Sequence, residues 1–356
     1  MTHGRLQYVP VLQNRWGEMR ALEEARPETW DWMTPLVVAV GARDPLKALT
    51  STQLAGWAKR LSAVMGEHTC LLDVMGFDPL QALGGGWTAL SYLYDRLRFR
   101  GLAFVPVLPA GAGPGHQEIV RAAAVQDQRG AALRYNLQGI ALPTGMTHGR
   151  LLETRLSALG LDGPGVDVIL DLGWLSPDVS ISAADICEVV DELASIALWR
   201  NVVLVGTSMP DTLAAISERS LGGLPRLEWD LWTDVTGPSY GKQVSFGDYA
   251  IQHPRPPEDT GPGMRANIRY TAVNRTVIAR GEGSVTQGGA SQYPELCRMI
   301  AGLDDFETRD YSWGDGVIEE CAGGGPWSAS QGLWRGAGTS HHLRLVTDQL
   351  RALAGS

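Results

Sequence analysis

The chain holds 356 residues. At about 150 residues per domain this allows roughly two domains, or one large barrel. Hydrophobic residues make up 44% and charged residues 19%, which excludes a disordered chain, a collagen-like repeat and a small disulfide scaffold. Thirty Lys and Arg face 39 Asp and Glu, a formal charge of −9, which disfavours non-specific coating of nucleic acid or of an anionic membrane.

Short apolar runs rich in β-branched residues recur along the chain, starting with Tyr8-Val-Pro-Val-Leu12 and Pro35-Leu-Val-Val-Ala-Val40. Thr69 to Val74, Ala103 to Leu108, Gly130 to Tyr135, Val166 to Asp171, Asn201 to Gly206 and Gln243 to Ala250 follow. Between them lie helical patterns at Gly17–Ala25, Ser51–Met65, Trp87–Phe99, Gly115–Gln126, Met146–Leu159, Ser182–Leu198 and Pro210–Arg219. Near-continuous apolar strands alternating with helices predict parallel strands covered by helices. Eight such units predict a (β/α)8 TIM-like barrel. No GxGxxG follows the first strand, which weakens the alternative, a doubly wound dinucleotide fold. Gly84-Gly-Gly86 reads as a turn before a helix.

After the eighth run come a Pro- and Gly-rich loop at Pro254–Arg265, a hairpin over Asn267–Thr271 and Thr276–Arg280, and helices at Ser291–Leu303 and Asp315–Cys321. A final amphipathic helix spans His341–Leu353, with Thr339 or Ser340 as N-cap. The expected organisation is barrel elements over 1–252, an inserted cap over 253–338 and a closing barrel helix over 339–356. An insertion between strand eight and helix eight emerges at the C-terminal face, where such barrels carry their sites. Cys70, Cys187, Cys297 and Cys321 form no CxxC pair, so no zinc ribbon or redox pair is signalled. Met1–Gln7 lacks a secretory signature and no apolar run reaches membrane-spanning length. The expected compartment is the cytoplasm.

In a barrel, residues at strand C-terminal ends converge on one mouth. Asp73, Asp171 and Asp248 stand at the ends of strands three, six and eight. Buried carboxylates must be paired, solvated or metal-bound. One reading is a site for a divalent cation, Mg²⁺ or Mn²⁺, held by the three acids. The other is salt bridging by Arg15, Arg134 and Arg226. His341 and His342, at the expected start of the last helix, are candidate general acids or capping residues. Arg134, Arg226 and Arg269, with Glu228, Tyr249 and Trp313, are candidate substrate-binding residues, since arginines at a mouth suit carboxylate or phosphate. Each is equally open to a structural role.

Several segments taken in order resemble the bacterial and phage Beta protein family. They are Tyr8–Leu12 with Gly17-Glu18, Leu133-Arg134, Ile169-Leu-Asp-Leu-Gly173, Gly206-Thr-Ser208, Arg226-Leu-Glu-Trp229, Phe246-Gly-Asp-Tyr249, Ile268-Arg-Tyr-Thr271, Ser312-Trp-Gly-Asp315 and Trp334 through His341-His342. The departure is at the first strand's end, where members look lysine-rich and this chain has Gln13-Asn14-Arg15. The resemblance implies an association with phage or antiviral defence systems and assigns no chemistry.

The expected function is a barrel enzyme that binds an anionic small molecule or phosphodiester at its mouth and acts on it hydrolytically. There Asp171 and Asp248 serve as base or metal ligands, and His341 or His342 as acid. The alternative is a non-catalytic binding or assembly subunit with a protein partner in a phage-encoded or defence system, the aromatic insertion serving as its docking surface. A nucleic-acid enzyme is disfavoured by the net charge.

Overall fold

The computed structural model describes residues 7–40, 48–139, 144–178, 181–255, 265–285, 289–326, 328 and 330–355. The first six residues, Gly41 and most of the Pro254–Arg265 segment lie outside them.

In chain order the elements are β1 (Tyr8–Gln13), α1 (Trp16–Glu23), α2 (Pro27–Trp30), β2 (Leu36–Val40), α3 (Ser51–Met65), β3 (Cys70–Met75), β4 (Ala82–Gly84), β5 (Trp87–Thr88) and α4 (Ala89–Phe99). Next come β6 (Phe104–Pro109), α5 (Pro114–Asp127), β7 (Ala131–Asn136), α6 (His148–Leu159), β8 (Val166–Trp174), α7 (Ala183–Ile196) and β9 (Asn201–Thr207). The chain ends with β10 (Ser220–Pro225), α8 (Leu227–Thr236), β11 (Ser245–Asp248), β12 (Asn267–Thr271), β13 (Arg275–Arg280), α9 (Tyr293–Ala301), α10 (Trp313–Ala322) and α11 (Gln331–Gly355).

Eight parallel strands close into a ring in the order β1, β2, β3, β6, β7, β8, β9, β11 and back to β1. The pairing of Tyr8 with Phe246 and Val9 with Gly247 makes the closure. Alternate residues face opposite ways along a strand. Val9, Val11, Leu36, Val38, Leu71, Val107, Ile169 and Val205 therefore fill the ring. Tyr8, Leu12, Val37, Leu72, Leu170 and Phe246 face the helices. Both faces are buried, which is why these strands read as unbroken apolar runs. Gly247 faces inward at the seam, where a Cβ would stand 2.6 Å from Val205 and 2.8 Å from the Val9 carbonyl. Helices α3, α4, α6 and α7 begin on Thr50, Thr88, Thr147 and Ser182, whose hydroxyls accept first-turn amides.

The structure differs from expectation in three places. The predicted helix over 210–219 does not form. Its carbonyls at Leu213, Ala214 and Ile216 are instead taken by the Arg280 guanidinium. The chain then adds β10 to β13, making a three-stranded antiparallel sheet with the predicted hairpin β12–β13. Leu227–Thr236, where no helix is predicted, forms α8, which serves as the seventh barrel helix. The closing helix also starts early, at Gln331, so residue 338 lies inside one continuous helix. Among the described residues no helix is long and apolar enough to cross a membrane.

Helix α11 touches its neighbours through missing side chains. A Cβ on Gly17 of α1 would stand 2.4 Å from the Gly332 carbonyl, and one on Gly338 2.4 Å from the Arg269 carbonyl. A Cβ on Gly314 of α10 would stand 1.9 Å from the Ala337 carbonyl. Alanine ordinarily stabilises a helix interior relative to glycine by up to about 1 kcal/mol. Here backbone blocks it, so Gly314→Ala should lower the unfolding free energy by about 1–3 kcal/mol. Gly323→Ala, whose nearest contact would be 3.5 Å, should not. Urea unfolding of both variants checks this. Equal midpoints would mean that the close approach carries no weight.

Candidate functional site

The inward side chains at the C-terminal ends of four barrel strands meet at one guanidinium. Arg134 of β7 donates from Nη1 to Asp73 Oδ2 of β3 at 2.6 Å. Its Nε and Nη2 donate to Asp171 Oδ2 of β8 at 3.0 and 2.8 Å. Nη2 also donates to the Tyr249 hydroxyl at 2.8 Å, and that hydroxyl donates to Asp171 Oδ2 at 2.6 Å. Tyr249 follows β11 directly and belongs to the inner layer. Burial works against the Arg134 charge, but the surrounding Tyr249, Asp171 and Asp73 outweigh it and raise its pKa well above the usual value. Burial likewise pushes the Tyr249 phenol upward, so it remains protonated in this network.

The two acids differ in what they have left to offer. Asp171 accepts three donors at Oδ2 and the Gly173 amide at Oδ1, 2.9 Å away. Asp73 accepts one guanidinium N–H at Oδ2 and the adjacent Val74 amide at Oδ1. A carboxylate has about four lone-pair sites, so Asp73 keeps acceptor capacity and Asp171 does not. Gln13, inward at the end of β1, has a buried Oε1 without a partner.

The remaining predicted residues lie elsewhere. Asp248 shares the outward face of β11 with Phe246, so it points into the layer beneath the helices and not into the mouth. There Oδ1 accepts from the Tyr8 hydroxyl at 2.7 Å and the Ala250 amide at 2.9 Å. Oδ2 accepts from His342 Nε2 at 2.8 Å. Burial disfavours the charge on Asp248, but His342 and these donors outweigh it and lower its pKa. Burial holds the His342 pKa down. We assign it as neutral, with Nε2–H facing Asp248 and Nδ1 accepting from the Thr271 hydroxyl at 2.7 Å. His341 and His342 were expected to open the last helix at the mouth. The longer α11 places both in its buried interior. His341 stacks on Tyr270 with ring centroids 3.9 Å apart and bonds Asp315 and the Thr271 carbonyl.

The three aspartates therefore do not make one ligand set. Among the described residues no group of three His, Cys, Asp or Glu side chains could hold a metal ion. Arg269 donates to the Ile251 carbonyl at 2.6 Å, fixing the chain after β11. Trp313 opens α10 beneath the Arg20 guanidinium. Arg226 is 1% exposed and donates to the Val273 carbonyl and to Gln349 Oε1. Glu228 accepts from the Ser208 hydroxyl at 2.5 Å. Both sit in the outer layer near Asp248 and Tyr8.

A closed barrel of eight parallel strands, with a buried polar network at its C-terminal mouth, defines a TIM-barrel protein. The chain belongs to the Beta protein family, whose model matches residues 8–348. No curated relative matches it. Among solved structures it is similar to a ligand-free tryptophan synthase from M. tuberculosis, at 10% identity over 69% of this chain and 84% of that one, TM-score 0.36. It is also similar to triosephosphate isomerase from Bartonella henselae, at 11% identity over 67% and 90%, TM-score 0.34. The barrel assignment itself rests on the strand pairing above.

Glu228 gives the outer layer a pH signature. Burial raises its pKa from 4.5 to about 7, opposed by the Ser208 hydroxyl and the Arg226 charge, with Asp248 adding to the rise. Between these two values the folded state keeps a proton that the unfolded state releases, so stability falls as pH rises. The loss should total about 3 kcal/mol and level off above the folded value. Glu228→Gln should flatten that slope in urea unfolding followed from pH 4.5 to 8. An unchanged slope would place the titration elsewhere.

Proposed function

We propose that this chain is an enzyme that hydrolyses an anionic small molecule or phosphodiester at the C-terminal mouth of its barrel. The supporting observation is the network of Asp73, Arg134, Asp171 and Tyr249, assembled from inward positions on four strands. Asp171 and Tyr249 hold the guanidinium plane fixed. Asp73, with acceptor sites to spare, takes the proton of an attacking water. Arg134 stands beside it as the fixed positive group facing charge that develops on the substrate. Asp248, His341 and His342 take no part, because Asp248 and His342 bind each other and His341 binds Asp315 and the Thr271 carbonyl.

Asp73→Asn keeps the shape but removes the base. It should lower turnover of an activated phosphodiester such as bis(p-nitrophenyl) phosphate by about 10²–10⁴-fold, with the fold intact by circular dichroism. Asp171→Asn should instead unfold early, losing about 3–5 kcal/mol because it strips the buried Arg134 of its main partner. Full activity in Asp73→Asn would overturn the assignment.

A second reading has its own observation. Trp174 ends barrel strand β8, Trp16 opens α1 after β1 and Trp87 opens β5 after β3, all at the C-terminal side of the barrel strands, and they are 40%, 59% and 39% exposed. Aromatic side chains left exposed around one face suit a protein partner, as an assembly subunit of a phage-encoded or defence system would need. Wild-type protein with no turnover, yet binding a partner through these tryptophans, would favour it.

A further inference from the structure

The floor of the mouth has one guanidinium for two carboxylates, and Arg226 and Arg269 are committed to carbonyls elsewhere. An anionic substrate group therefore needs another anchor. We propose that it is the start of α5, where the glycine-rich turn from Gly111 to Gly115, with His116 and Arg155, binds an oxyanion carried by the substrate. This inference rests on the mouth being the reaction site.

Four observations converge there. First, α5 leaves the C-terminal end of β6, on the mouth face, and begins on Gly113 with no side-chain cap and no acid in its first turn. Helices α3, α4, α6 and α7 are all capped by hydroxyls. First-turn amides have no intrahelical acceptor, and the helix dipole favours an anion beside them. Second, a Cβ at Gly111 or Gly113 would meet nothing within 4 Å, while one at Gly115 would stand 2.8 Å from the Leu80 side chain, so the turn is open to an approaching group on its Gly111–Gly113 side. Third, His116 in that first turn is 7% exposed, and its Nε2 is buried with no partner. A side chain at this position leans toward the helix start. As the Nε2–H tautomer it supplies one more donor, without carrying a charge. Burial holds its pKa down, and the Asp73 charge acts in the opposite direction. Fourth, Arg155 of α6 reaches across to the turn. Its Nη1 donates to the Ala112 carbonyl at 3.1 Å and to Gln117 Oε1 at 3.3 Å. Its Nε is buried without a partner, and among the described residues it makes no ion pair. The nearby carboxylate, Asp73, is already held by Arg134.

The first-turn amides, the Arg155 Nε and, in this tautomer, the His116 Nε2 are donors, so the complementary ligand is an acceptor with several oxygens. Phosphate and carboxylate both fit that description. The probes are inorganic phosphate and acetate at about 20 mM, each against sodium chloride of equal ionic strength, read as the thermal midpoint of the full chain. Phosphate should raise the midpoint by about 2 °C or more. An equal rise with acetate would assign a carboxylate substrate, and phosphate alone a phosphoryl one. Gly113→Asp is the decisive variant. The Gly113 backbone, φ −75° and ψ 169°, suits any residue, and an aspartate N-cap fills the site with its own carboxylate. It should raise the midpoint by itself and abolish the phosphate response. Arg155→Gln should weaken the apparent affinity about tenfold. The inference is overturned if phosphate does no more than chloride in the wild type, or if Gly113→Asp responds in full. A response kept in Gly113→Asp but lost in Arg134→Gln would place the anion on the barrel floor. That result would leave the mouth reading standing and remove this one.

Discussion

The burial of one guanidinium governs the mouth of this barrel. Arg134 stands where the apolar filling of the ring ends, in a layer occupied lower down by Val107, Ile169 and Val205. A charge there is tolerable only when its donors are matched by acceptors of fixed position. The strands supply them from β3, β8 and the residue after β11. The barrel must therefore close in one register for the charge to be met. Slipping a strand by one residue would turn Asp73 or Asp171 toward the helices and take one carboxylate partner from Arg134. Closure and site are a single condition.

A second polar layer lies outside the ring. Asp248, Tyr8, His342 and Thr271 form a chain of hydrogen bonds from the barrel wall to α11 and the cap sheet. Arg226 adds a link between the start of α8, the β12–β13 turn and α11. These groups resemble a site in composition, yet they act as a joint. Each bridges elements distant in sequence, and the glycines of α11 allow the backbones close enough for those bonds to form.

The barrel was legible because both faces of its strands are buried, which writes each strand as an apolar run of the right length and spacing. The inward set Asp73, Arg134 and Asp171 was legible for a related reason: a charge at the end of such a run has to be explained. Asp248 shows the limit. It also ends an apolar run, but one step of alternation decides between mouth and helix layer. The sequence Phe246-Gly-Asp-Tyr249 alternates aromatic residues on both faces, so composition does not say which face is inner. His341 and His342 failed differently. Thr339 and Ser340 read as the N-cap, yet α11 runs back through Gly338 and Gly336, whose neighbours need their small size. The missing helix over 210–219 depended on Arg280, about seventy positions away, which no local pattern reveals.

The turn before α5 carries no signal in the sequence because it is nearly featureless: alanine, glycine and proline, then a histidine. Its lack of side chains matters, since capping hydroxyls would have consumed the amides. A mouth whose floor is slightly acidic and whose donors lie to one side would, on the proposed function, hold a substrate asymmetrically. The charged group would be drawn toward α5, and the bond to be broken would lie over Asp73 and Arg134, on strands β3 and β7 with β6 between them. On that reading binding and bond cleavage would fall to different residues, and the Arg134 network would remain intact while a ligand enters and leaves.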